Sequence, residues 1–116
     1  MSKAISISFK GGEFALFESE DATLAKWGTS DDNSAEEVKT SDGSTLDILY
    51  RSYVQPMIVL GIKPATDDNL SVNVEVDTEV HIVIALGNET GYSDPKYDEL
   101  LKVSEETPVI TRTFVL

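Results

Sequence analysis

The chain has 116 residues, 41% hydrophobic and 26% charged, with 21 acids against 9 basic residues and a formal net charge of −12. That length suits one hydrophobic core, and the composition lies away from the disordered regime, so a single compact domain over residues 1–116 is expected. The absence of cysteine and the presence of one histidine, His81, exclude disulfides, thiolate metal sites and most nucleophilic catalysis. The surplus of carboxylates repels phosphates and anionic membrane surfaces, so neither nucleic acid nor membrane is an expected partner, whereas a basic protein would be attracted. No apolar stretch approaches the ~20 residues of a membrane span. The opening residues alternate polar and apolar instead of building a signal-peptide core, which favours a cytoplasmic or virion-associated setting.

Ile5, Ile7 and Phe9 alternate with Ser6, Ser8 and Lys10, the pattern of a strand with one buried face. Gly11-Gly12 interrupts it, and Glu13–Phe17 reads as its hairpin partner. Across Glu18–Gly28, acids come first, Leu24 and Trp27 share a helical face, and a glycine closes the segment, which predicts a short helix. Residues 28–44 are an acidic, weakly ordered loop by composition. From Glu13 to Asp47 there are ten acids and two lysines, so much of the negative charge lies where the core signal is poorest.

Leu46, Leu49, Tyr50, Tyr53 and Val54 fall on one helical stripe that Ser44 or Thr45 can cap and Pro56 stops. Ile48 fits that stripe poorly, which leaves a strand through Leu46, Ile48 and Tyr50 open. Met57–Ile62 is a continuous apolar run, typical of a strand covered on both faces. Leu70, Val72, Val74 and Val76 alternate with polar residues, and after Asp77-Thr78-Glu79 the alternation resumes at Val80, Ile82, Ile84 and Leu86. The two segments read as an antiparallel hairpin. Asp94-Pro95 then offers a cap and an N1 proline to a second helix buried through Tyr97, Leu100 and Leu101, and Val109–Val115 closes the chain as a strand. These elements make an α+β fold: a largely antiparallel sheet of five to six strands, packed by two short helices with room for a third.

The functional reading is non-enzymatic. His81 has no cysteine, second histidine or serine motif beside it, so it is read as a strand residue and not as a catalyst. The acidic loops match no calcium-loop spacing, and no metal or cofactor is expected. The closing strand has Arg112 as its one charged side chain; a strand of this kind at a sheet edge needs a partner. The first expectation is therefore a self-associating structural or assembly module, of the kind found in viral particles, with contacts through Ile110, Phe114 and Val115 or through Ile5 and Ile7. A second is an acidic charge mimic that occupies a basic, nucleic-acid-binding surface through Asp31, Asp32, Glu36 and Glu37. A third is a small-ligand domain that uses Asn88 and Tyr92 in the 87–95 loop.

Overall fold

The computed structural model describes residues 3–18, 24–27, 37–40, 43–52, 54–66 and 70–116. Within them the chain is all strand. The strands are β1 (Lys3–Lys10), β2 (Glu13–Glu18), β3 (Leu24–Trp27), β4 (Glu37–Lys39), β5 (Thr45–Ser52), β6 (Met57–Lys63), β7 (Leu70–Val76), β8 (Val80–Asn88), β9 (Gly91–Leu101) and β10 (Ile110–Val115). They form two five-stranded sheets, ordered β10-β7-β1-β2-β3 and β4-β5-β6-β8-β9. The chain divides into two compact units along the same lines, residues 1–30, 68–79 and 101–116 in one and residues 31–67 and 80–100 in the other.

The first sheet is built on the expected opening hairpin. Gly11 and Gly12 hold φ of 59° and 80°, so both central residues of the β1–β2 turn are left-handed, a conformation glycine adopts without a side-chain clash. β1 pairs antiparallel with β2 and parallel with β7, and β7 pairs antiparallel with β10. These registers place apolar residues in rows on one buried face. Ile5, Val72 and Phe114 form one row, and Phe14, Phe9, Val76 and Ile110 form another. Asp77, just past β7, ties the β1–β2 turn to the sheet. Its carboxylate accepts from Gly11 N at 3.1 and 3.2 Å, and its own N–H donates to Phe9 O at 3.3 Å.

The second sheet centres on β6, which pairs antiparallel with β5 and parallel with β8. Leu46 lies opposite Ile62, and Ile48 opposite Leu60; Ile84 continues the latter row on β8. All five are buried, with Leu60, Ile62 and Ile84 fully so. Burying a side chain of this size contributes about 1.5–3 kcal/mol, so this face supplies much of the unit's stability.

The α+β expectation is overturned, because the described residues contain no helix. The helix read across Glu18–Gly28 is strand where it is described: Glu18 ends β2, and Leu24–Trp27 is β3. The helix read across Leu46–Val54 is β5, the strand that Ile48 had left open. The register of β5 against β6 shifts between Ile48 and Tyr50. That bulge resets the inward alternation so that Arg51 is buried after Ile48, while Tyr50 and Val54 of the expected stripe are exposed, so their apolar character did not mark a buried face. The helix read from Asp94-Pro95 is β9, an edge strand, where proline is tolerated because no neighbour on the outer side requires its N–H. The single antiparallel sheet is corrected as well: both sheets are mixed. β7 and β8 are not a hairpin but lie in different sheets, each paired in parallel with another strand.

Candidate interaction edge

Four strands bound the two sheets among the described residues, and their chemistry differs. Among the described residues, β4 carries Glu37 and Lys39, a dense charge that discourages pairing, and β3 carries Lys26. β9 is long, but it carries Pro95 and the charged side chains Asp94, Lys96, Asp98 and Glu99. Proline and dense charge both discourage another strand from docking. β10, with the sequence Ile-Thr-Arg-Thr-Phe-Val, has neither proline nor acid and a single charge.

The ladder between β10 and β7 decides which backbone groups of β10 point outward. Leu116 N donates to Leu70 O at 2.8 Å, continuing the register in which Phe114 faces Val72 and Arg112 faces Val74. Because an antiparallel ladder alternates bonded and non-bonded pairs, Arg112 and Phe114 direct their N–H and C=O groups to β7. The groups of Thr111, Thr113 and Val115 point the other way, to the side where no described strand pairs. Thr111, Thr113 and Val115 are also exposed at their side chains, whereas Phe114 is 1% exposed. Thr113 Oγ1 donates to Asn73 Oδ1 at 2.9 Å, which fixes the outer face of the edge.

Arg112 lies over this edge. Its Nη1 donates to Thr113 O at 2.9 Å, and its guanidinium carbon sits 5.0 Å from the Phe114 ring centre. Thr113 O is one of the outward carbonyls, so the arginine reaches around its own strand to cap it. Beside the edge, on the exposed face of the same sheet, Ser6, Ser8, Lys10, Asn73, Glu75 and Thr111 line a depression of about 480 Å³. Two of these residues, Lys10 and Glu75, form an ion pair.

The remaining candidate residues are placed as follows. Ile5 and Ile7 are 3% and 2% exposed on β1, the central strand of the first sheet, and so offer no surface to a partner. Ile110 is half-buried, and Val115 is 54% exposed. Asp31, Asp32 and Glu36 lie outside the described residues; Glu37 is exposed on β4, opposite Asp47. The 87–95 segment is not a strand-to-helix loop but the β8–β9 hairpin. Asn88 Oδ1 is engaged inside that turn, accepting from Thr90 N at 2.9 Å and Thr90 Oγ1 at 2.6 Å. His81 hydrogen-bonds Asp98 across the same hairpin.

Tyr92 is half-buried and lies across the second sheet. A Cβ on Gly61 of β6 or Gly87 of β8 would collide with its ring, so the tyrosine fills the surface that these two glycines leave open. Its hydroxyl donates to Asp47 on β5, and Lys63 Nζ stands 4.8 Å from the ring centre. Burial raises the Tyr92 pKa first, and the hydrogen bond to Asp47 and the negative charges of Asp47 and Glu37 add to the rise. Sequence reasoning singled out Tyr92 but missed Gly61 and Gly87 as its floor. Two glycines within otherwise apolar strands were the available signal.

Among the described residues, no group of three or more histidines or acids gathers to hold a metal ion. Compared with protein-family models, curated proteins and solved structures, the chain finds no match.

Proposed function

We propose that this protein is an assembly module that associates with other protein through the β10 edge. The observation that carries the reading is the contrast between the described edges. β9 is blunted by proline and charge and β4 by charge, whereas β10 keeps a six-residue strand with one charged side chain. Natural sheets protect their edges against pairing unless pairing is their purpose. Main-chain bonds at such an edge supply affinity, and alternate side chains supply selectivity.

Size-exclusion chromatography with light scattering tests this reading. The protein is expected to show a mass above the monomer that falls on dilution, and Thr113→Pro is expected to hold it at the monomer. The N–H at position 113 points away from β7, so proline there removes an edge donor and leaves the internal ladder intact. A monomer mass at all concentrations, in the absence of any other protein, would overturn self-association.

A further inference from the structure

We infer that the depression over β1, β7 and β10 is a binding site for a neutral, hydroxyl-rich ligand, a short saccharide. The inference does not rest on the assembly reading, because the outward backbone groups of β10 take no part in it.

Register builds the site. β1 is the middle strand of the first sheet, and its Ile5, Ile7 and Phe9 are buried on one face. Ser6, Ser8 and Lys10 therefore share the other face. The parallel pairing with β7 sets Ser6 opposite Asn73 and Ser8 opposite Glu75, and β10 adds Thr113 beside Asn73 and Thr111 beside Glu75. Two rows of polar side chains result, about 7 Å apart along the strands and about 5 Å from strand to strand. The serines are the shortest side chains in these rows, so the surface sinks along β1. The depression holds about 480 Å³, within the roughly 300–1,000 Å³ range of small-molecule sites.

Serine at these positions costs stability. A central strand gains from β-branched or aromatic side chains, and Ser6 and Ser8 forgo that packing. Both are half-buried, yet among the described residues neither hydroxyl, nor that of Thr111, has a hydrogen-bond partner.

The chemistry of the lining selects the ligand. Asn73 accepts from Thr113 Oγ1 at 2.9 Å through Oδ1, which leaves its NH2 group as a donor. Lys10 and Glu75 neutralise each other, and each keeps hydrogen-bonding capacity beyond their ion pair. The lining thus mixes donors with acceptors and carries no net charge. An anion would meet Glu75 and the field of a chain with net charge −12, and a cation would meet Lys10. An apolar ligand would strip water from the serines without replacing its hydrogen bonds. Each hydroxyl of a saccharide both donates and accepts, so a saccharide can answer all of these groups without a charge of its own.

Proton–nitrogen NMR titration of the full chain tests the site. The probes are maltotriose, cellotriose and triacetylchitotriose at up to about 10 mM, which reads dissociation constants of about 1 mM. Glycine and inorganic phosphate serve as the zwitterionic and anionic comparisons. At least one saccharide is expected to shift the backbone signals of Ser6, Ser8, Asn73 and Thr111 to saturation, while glycine and phosphate leave them in place. Ser8→Val fills the depression with a residue suited to a strand and is expected to abolish the shifts at the other three positions. Glu75→Gln keeps the shape but removes the charged acceptor, and should weaken binding about tenfold. A spectrum as dispersed as that of wild type shows that a variant is folded, and Glu75→Gln carries the test if Ser8→Val does not fold. The inference is overturned if no saccharide shifts these signals, or if the shifts cluster elsewhere, such as around Tyr92. It is equally overturned if phosphate or glycine shifts them instead, or if saccharide binding is unchanged in the folded variants.

Discussion

Tyr92 on β9 donates its hydroxyl proton to Asp47 on β5, although β8 and β6 lie between them in the sheet. The span is possible because Gly87 and Gly61 present no side chain beneath the ring. Asp47 also lies opposite Glu37 in the β4–β5 register, a pairing of like charges that the tyrosine donor relieves on one side. One aromatic residue thus covers two glycines and satisfies a carboxylate, linking four strands on one face of the second sheet.

Gly61→Ala is expected to destabilise the protein by about 1–3 kcal/mol, because the new methyl group must displace the Tyr92 ring. In a Tyr92→Ala background the same change should be nearly neutral, since the obstruction has gone. Urea unfolding of the four members of this cycle measures the coupling. Equal costs of Gly61→Ala in both backgrounds would show that the ring does not rest on the glycine.

Stability should also fall at alkaline pH through this residue. The raised pKa of Tyr92 means that the folded state favours the neutral phenol over the ordinary tyrosine value of 10.0. The contribution is fully present below about pH 10 and is lost as pH rises through the higher folded-state value. Tyr92→Phe should be less stable at neutral pH, by about 1 kcal/mol for the hydrogen bond lost at Asp47. Its stability should decline less between about pH 9 and pH 11 than that of wild type. Urea midpoints for the two proteins across that range provide the measurement, and parallel declines would remove Tyr92 as the source.

Much of the first sheet was legible in the sequence. The period of two in β1, β7 and β10 and the Gly-Gly turn are local signals, and local pairing of β1 with β2 follows from them. The parallel pairing of β1 with β7 was not legible, because strands far apart in the chain leave no mark of their register in the local pattern. Two of the three helices were misread for physical reasons. The bulge between Ile48 and Tyr50 disturbed the strand period in β5, and Pro95 has the same local appearance at a helix start as on an edge strand. At the candidate edge, the low charge of the closing strand was visible from composition. The contact of Arg112 with the Thr113 carbonyl was not, since it depends on which groups of β10 face β7.

Asp77 gives a test of the β1–β2 turn that is independent of assembly. Its carboxylate holds Gly11 N, and its backbone N–H bonds Phe9 O whatever the side chain. Asp77→Ala should therefore cost only the side-chain part, about 1 kcal/mol. Hydrogen exchange should rise at Gly11 while Ala15, opposite Ser8 in a bonded pair of the β1–β2 ladder, stays protected. Exchange that rises equally at both residues would mean that Asp77 supports the whole hairpin and not the turn alone.

Salt dependence separates assembly from charge mimicry by its sign. Two copies of a chain with net charge −12 repel each other as they approach, and β10 adds only Arg112 to offset this. Raising ionic strength shortens the screening length from ~10 Å at 0.1 M to ~3 Å at 1 M, which weakens that repulsion more than it weakens main-chain bonds at the edge. Self-association should accordingly strengthen as salt is added, mainly through faster encounter. A contact between the acidic 28–44 segment and a basic partner would respond in the opposite direction, because its attraction is what the ions screen. Sedimentation velocity over a salt series reads the sign directly. A dimer that dissociates with added salt would place the acids, and not the β10 edge, at the interface.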